Sequence, residues 1–251
     1  MDEYEKIFQK VTSIILGKPL ENYKNYEKWL FKNVTNYEYG KSVISEEHIY
    51  LPPFDFYSDV KHNIVTIEEA YGTLGKKQIS QQELESLSFS NAKKVLSKIS
   101  TTTPNTIYGE SSKMKDCTFY YSSHSCYKTC GGNRSKGCVC SFWPRASDYA
   151  IGCYYAFSCQ FCLKCYNSNS LTRCFEVSDS NKCSDCYFCH NCENLVDCMF
   201  CFNAKNLRYA IANVPLGPKK YQEIKEMILD EIVEELEKTK NLKLDIYSIG
   251  D

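Results

Sequence analysis

Apolar side chains recur along this chain with three different periods. From Asp2 to Leu16 the spacing is helical, with Ile7, Val11, Ile14 and Ile15 on one face. Glu21 to Val34 repeats that spacing through Tyr23, Tyr26, Leu30 and Phe31. Thr66 to Glu69 and Ser80 to Glu83 both fit the S/T-x-x-E capping box. They predict helices near 67–72 and 81–98, with Ile79 and Leu84 as a hydrophobic staple for the second. Leu51-Pro52-Pro53 reads as extended loop, because a residue before proline is pushed out of the helical region. STTTPN at Ser100–Asn105 reads as a linker. At the other end, Pro218 suits a helix's first turn. Tyr221, Ile224, Ile228 and Ile232 follow it on one face, beside Leu229, Val233 and Leu236. Leu242, Leu244 and Ile246 alternate with Lys243 and Asp245, which predicts a short strand.

Between these segments the period is three. Fourteen of the 16 cysteines stand at residue numbers divisible by three, Cys130 and Cys140 being the exceptions. None occurs before Cys117. A longer period of twelve organises them. From Cys153 the chain reads CYYAFSCQFCLK, CYNSNSLTRCFE, VSDSNKCSDCYF, CHNCENLVDCMF and CFNAKNLRYAIA. The tenth column holds Cys162, Cys174, Cys186, Cys198 and Ala210, each followed by an apolar residue. The same pair continues upstream as Cys126-Tyr127, Cys138-Val139 and Ala150-Ile151, giving eight rungs. Neither a helix, at 3.6, nor a flat strand, at 2, explains one small or apolar residue in three. A narrow coil with one inward side chain per three residues does. Eight rungs about 4.8 Å apart make a rod of roughly 35–40 Å. Asn167, Asn169, Asn181, Asn191, Asn194, Asn203 and Asn206 lie between inward positions and suit left-handed corners.

The predicted fold is therefore α+β. A mixed, mainly helical domain or cap (1–105) precedes a cysteine-rich β-solenoid (106–213), and a C-terminal capping helix with a short strand follows (214–251). The apolar column Leu163, Phe175, Tyr187, Met199 and Ile211 is too large a stripe to leave in water. The flanking helices, the 218–238 helix or another copy must cover it.

With 30 Lys plus Arg against 31 Asp plus Glu, bulk charge does not point to nucleic acid. Apolar runs such as Ser13–Leu16 are too short to span a bilayer. The start MDEYEKIFQK lacks a basic then apolar leader, so a cytoplasmic protein is expected. There, thiols stay reduced, and three readings of the cysteines stand open. As packing, cysteine is a small buried hydrophobe that needs no cofactor. As metal ligands, the densest group is Cys183, Cys186, Cys189, Cys192, Cys198 and Cys201, which could hold zinc or an iron–sulfur cluster. Cys162-x-x-Cys165 and Cys183-x-x-Cys186 also match a zinc-ribbon spacing, although the period generates such pairs by itself. As disulfides, cysteines six apart, such as Cys153 with Cys159 or Cys192 with Cys198, would face each other across a rung. Cys186-Tyr-Phe-Cys189-His190 matches a c-type haem string, but the repeat supplies its cysteines. His48, His62, His124 and His190 show no H-E-x-x-H spacing, and no P-loop, G-x-G-x-x-G or G-x-S-x-G string occurs. No enzyme is indicated.

The inward pattern resembles the twelve-residue β-solenoids of beetle antifreeze proteins, whose rung runs T-C-T-x-S-x-x-C-x-x-A-x. The Thr-x-Thr ice face is absent here, so the resemblance implies architecture alone. SFWPR at Ser141–Arg145, LTRCFE at Leu171–Glu176, CYFCHNCEN at Cys186–Asn194 and MFCFNAKNLRYAI at Met199–Ile211 resemble a second group. These are uncharacterised cysteine-rich repeat proteins of archaea, their tailed proviruses and uncultured microbes, over roughly residues 110–240. That resemblance implies no catalytic residue. It fits a structural or protein-interaction component, such as a virion or assembly protein, that meets a protein partner or its own copies through the solenoid surface.

Overall fold

The computed structural model describes residues 2–35, 38–104 and 106–250. The chain forms two compact units, one of Asn36–Ile107 and one of Met1–Thr35 with Tyr108–Asp251. The sequence reading takes residues 1–105 as one block. The fold instead joins the first 35 to the solenoid, because their apolar face has its partner there.

In the unit Asn36–Ile107, strands Glu38–Lys41 and His48–Leu51 pair antiparallel, with Glu38 opposite Leu51 and Lys41 opposite His48. Ile49, Leu51 and Ile64 form a small core. Both capping boxes are present. Thr66 Oγ1 accepts the Glu69 N–H and Glu69 accepts the Thr66 N–H, opening helix Ile67–Gly72. Ser80 and Glu83 do the same for helix Gln81–Glu85. The helix predicted over 81–98 is broken in two, resuming at Ala92–Leu96. Asn91 causes the break. Its side chain accepts the Ser88 N–H at 2.8 Å and donates to the Ser86 carbonyl at 2.8 Å, competing with helical bonds. Leu84 stays exposed and makes no staple.

The solenoid is built from three-residue sides. The first residue of each side, numbered by a multiple of three, points inward. The second pairs with the rungs above and below. The third turns the corner with positive φ. This last feature holds at every third residue from Lys113 to Ala212, glycines 131, 137 and 152 included. Left-handed backbone costs a non-glycine residue about 1–2 kcal/mol. Here neighbouring rungs impose it, through two bonds per side. His124 N–H donates to the Ser135 carbonyl of the next rung at 3.0 Å, and Ser125 N–H donates back to Ser112 at 2.9 Å. The parallel ladder Ser112, His124, Lys136, Asp148, Gln160, Thr172, Ser184, Val196, Arg208 is unbroken and counts nine rungs. The rung missed by the eight-rung reading is the first. Met114-Lys115 replaces the cysteine–apolar pair there. Of the seven asparagines assigned to corners, five turn corners, whereas Asn169 and Asn181 are pairing residues.

The apolar stripe is covered except at its end, where Ile211 is half-exposed. Val139, Ile151, Leu163, Phe175 and Met199 have no exposure, and Tyr127 and Tyr187 have almost none. Part of the cover is the N-terminal helix Glu3–Leu16, which buries Ile7, Phe8, Val11 and Ile15 and leaves Ile14 40% exposed. Tyr187 Oη donates to the Ile15 carbonyl at 3.1 Å, and Trp29 meets Phe175 edge-on at 6.3 Å. After the last rung, Val214–Pro215 pairs antiparallel with Ala210 and Ile211. Helix Pro218–Thr239 then buries Tyr221, Leu229, Ile232, Val233 and Leu236. The strand predicted over Leu242–Ile246 is a turn instead. Asp245 Oδ1 accepts the N–H groups of Tyr247 and Ser248, each at 3.0 Å.

Candidate functional site

The solenoid places four inward columns of side chains in its interior, and one backbone donor per side faces them. Two of the three N–H groups on each side bond to adjacent rungs. The third, on the inward residue, points inside. Where an inward serine stands twelve residues earlier its hydroxyl accepts it, as Ser147 Oγ does for the Cys159 N–H at 3.1 Å and Ser180 Oγ for the Cys192 N–H at 3.0 Å, and the thiol of Cys153 does the same for the Cys165 N–H at 3.4 Å. The same side chains donate to carbonyls. Cys153 Sγ reaches Ile151 at 3.4 Å and Cys162 at 3.6 Å, and Ser141 Oγ reaches Val139 and Ala150, each at 3.0 Å. Cysteine, serine and threonine thus all donate inward to carbonyls here, as Cys153, Ser141 and Thr129 do. They are small, and each both donates and accepts. An alanine would fill the space but abandon the amide, and an unmet buried donor costs about 1–3 kcal/mol.

All sixteen cysteines are free thiols, and all but Cys117 are buried. Cys130 and Cys140 break the register because they point outward, on faces that are nevertheless completely covered. Burial alone pushes the Cys130 thiol up to about 12. Cys140 is raised too, first by burial and then by the Glu27 carboxylate. Such thiols are inert at neutral pH.

The structure brings all six of the predicted metal ligands to the interior. Cys183, Cys186, Cys189 and Cys192 occupy the four walls of one rung. Cys198 and Cys201 stack on Cys186 and Cys189 in the next. Each of the six thiols donates to the carbonyl two residues before it, Cys183 to Asn181 at 3.4 Å, Cys186 to Ser184 at 3.2 Å, Cys189 to Tyr187 at 3.4 Å, Cys192 to His190 at 3.3 Å, Cys198 to Val196 at 3.4 Å and Cys201 to Met199 at 3.5 Å. Among the described residues, no three His, Cys, Asp or Glu side chains are grouped around one point as a metal ion would require. The zinc-ribbon-like pairs Cys162–Cys165 and Cys183–Cys186 are likewise inward residues on adjacent walls, sharing only the column of Cys162 and Cys186. In the haem-like string, the Cys186 and Cys189 thiols are enclosed, while His190 points outward and its Nδ1 lies 2.7 Å from Ser178 Oγ.

One buried polar group escaped the sequence reading. Lys164 and Glu176 share a corner column on successive rungs, with no exposure. Lys164 Nζ lies 3.8 Å from Glu176 and donates to the carbonyls of Trp29 at 2.9 Å and Lys32 at 3.1 Å. Glu176 Oε2 accepts the Ile246 N–H at 3.1 Å, and beside it Lys32 pairs with Asp245 at 2.6 Å. The network ties the N-terminal segment and the C-terminal turn to two successive rungs. Burial raises the Glu176 carboxyl to about 7, against the opposing pull of Lys164. Burial likewise lowers the Lys164 ammonium. The register alone could have revealed the pair, since two opposite charges twelve apart must stack.

The uncovered flank carries the pairing columns Gln160, Thr172, Ser184 and Asn169, Asn181, Glu193, with Ser158, Ser170, Lys182 and Asn194 at the corner between them. These side chains are exposed or half-exposed. They bond along the ladder: Asn194 Nδ2 donates to Asn206 Oδ1 at 2.6 Å, and Lys205 meets Glu193 at 2.8 Å. Among the described residues no helix is long and apolar enough to cross a membrane.

Compared with protein-family profiles and with curated proteins, the sequence gives no match.

Proposed function

We propose that this chain is a non-catalytic scaffold that presents one flank of its solenoid to a protein partner or to further copies of itself. The observation that carries the reading is the unbroken twelve-residue register from Ser112 to Arg208. Such a register fixes side chains on the uncovered flank at about 4.8 Å intervals. The interior is filled by the chain's own side chains, and the apolar flank is taken by its own helices. The short polar flank is what remains for recognition, in a virion, an assembly or a cytoplasmic complex. Sedimentation of the purified chain over a wide concentration range tests the self-assembling form. A mass that rises with concentration, and that Thr172→Glu with Asn181→Glu holds at one chain, supports it. One-chain mass throughout removes self-assembly and leaves only the partner form.

A second reading is a zinc or iron–sulfur protein, and the shared inward placement of Cys183, Cys186, Cys189, Cys192, Cys198 and Cys201 on two successive rungs supports it. Metal content and free-thiol titration of anaerobically purified protein separate the two. Stoichiometric zinc or iron sinks the packing-only view, and sixteen titratable thiols without metal sink this alternative.

A further inference from the structure

Lys164 and Glu176 are wholly enclosed, yet they do not form a close ion pair. Lys164 Nζ stands 3.8 Å from Glu176 Oε1, whereas a charge-assisted hydrogen bond closes to about 2.7–2.9 Å. Oε1 has no hydrogen-bond partner. Nζ donates elsewhere, to the Trp29 carbonyl at 2.9 Å and the Lys32 carbonyl at 3.1 Å. Glu176 Oε2 accepts the Ile246 N–H at 3.1 Å. The centres of the Trp29 and Tyr166 rings lie 5.4 and 5.7 Å from Nζ, and the rings help to exclude water. We propose that this pair condenses spontaneously to an amide, a covalent cross-link from Lys164 Nζ to Glu176 Cδ that joins two successive rungs. This goes beyond the scaffold reading and does not depend on it.

Three features select a bond over an ion pair. The first is the nitrogen's valence. A neutral amine has two N–H groups and one lone pair. The Trp29 and Lys32 carbonyls take the two N–H groups, which leaves the lone pair for Glu176. The second is the unmet oxygen. A buried ion pair is stabilising only if its remaining lone pairs find donors, and an ionised Glu176 would keep Oε1 without one. Condensation removes that oxygen as water. The third is the Ile246 N–H on Oε2, where negative charge develops as nitrogen adds to Cδ. Burial supplies the protonation states, since it raises the carboxyl and lowers the ammonium. The step needs no other reactant. The Nζ–Cδ bond forms and the Cδ–Oε1 bond breaks. Oε1 leaves as water with its own proton and one from Nζ, and no atom changes oxidation state. Enclosure replaces the high concentrations that such a condensation needs in water, since well-oriented pairs reach effective molarities of about 10⁵–10⁸ M. Closure follows folding, because only the folded chain encloses the pair. A freshly folded chain therefore carries the free pair with its titrating carboxyl, and an incubated chain carries the amide.

The test uses the full chain, refolded under reducing conditions, incubated at neutral pH and read by intact-mass spectrometry. The incubated chain should become lighter by one water. Trypsin should then fail to cut after Lys164 and should release one branched peptide that joins the segments around residues 164 and 176. Lys164→Met should keep its full mass. Should that variant not fold, wild-type chain incubated in denaturant decides, and it should keep its full mass as well. The proposal is overturned by an unchanged mass in the folded, incubated chain, by the same loss of water in Lys164→Met or in denaturant, or by a lost water that maps to any other pair of residues.

Discussion

Lys164 and Glu176 stand twelve residues apart, at the same corner of successive rungs, and face each other at 3.8 Å with no exposure to solvent. They fasten both flanking segments to the solenoid through the Trp29 and Lys32 carbonyls and the Ile246 amide. Their burial has a consequence for pH. The Glu176 carboxyl is raised to about 7 from an ordinary 4.5. Between those values the folded chain holds a proton that the unfolded chain has released, so stability falls as pH rises. The contribution is complete below pH 4.5 and lost as pH passes 7. A shift of this size is worth about 3 kcal/mol. Chemical denaturation from pH 4.5 to 8 should show that decline relative to Glu176→Gln, whose amide keeps the Ile246 bond and does not titrate. Parallel curves for the two proteins would contradict the assignment.

Cys153 accepts the Cys165 amide and donates to two carbonyls. Cys153→Ala should lose about 1–3 kcal/mol by stranding that amide. Cys153→Ser should lose clearly less, because Ser141 performs the same bonding one rung earlier. Urea midpoints of the two variants decide it. Alanine tolerated better than serine would mean that the interior is held by apolar packing alone.

Lys182 is exposed and turns its corner at φ 53°. Lys182→Gly should stabilise by up to about 1 kcal/mol, because glycine adopts that backbone freely. Lys182→Val should destabilise by more than 1 kcal/mol, although valine favours ordinary strands. Thermal melts should rank Gly above Lys above Val.

Gly152 sits at φ +62°, and a Cβ added there would lie 3.0 Å from the Leu30 carbonyl oxygen. That oxygen belongs to the N-terminal cover, which cannot yield without lifting from Ile151. Gly152→Ala should cost about 1–3 kcal/mol. Amide exchange should loosen over residues 27–34 while the later rungs 183–211 stay protected. Uniform loosening would show that the cover and the ladder unfold as one.

The solenoid was legible in the sequence because its interior admits one kind of side chain every three residues, so each cysteine repeats the same information. The covered stripe was legible for a related reason: Leu163, Phe175 and Met199 are too apolar to face water. What escaped was set by single contacts. The break after Glu85 depends on one asparagine side chain, and the turn after Leu242 depends on the Asp245 carboxylate. Periodicity registers neither. The metal spacing misled in the opposite sense. A twelve-residue repeat places Cys-x-x-Cys pairs wherever two adjacent columns hold cysteine, and only the stacked columns reveal which thiols meet.

The central claim is that the positions divisible by three from Ser111 to Ala210 face a closed interior. Alkylation of the native, reduced protein, resolved by peptide, tests it most directly. Cys117, partly exposed in the first rung, should react first. Every other cysteine should be labelled only as fast as the fold opens, Cys130 and Cys140 included because their outer faces are covered. Rapid native labelling of Cys162, Cys174 or Cys186, in the middle of the longest thiol column, would contradict the fold as described.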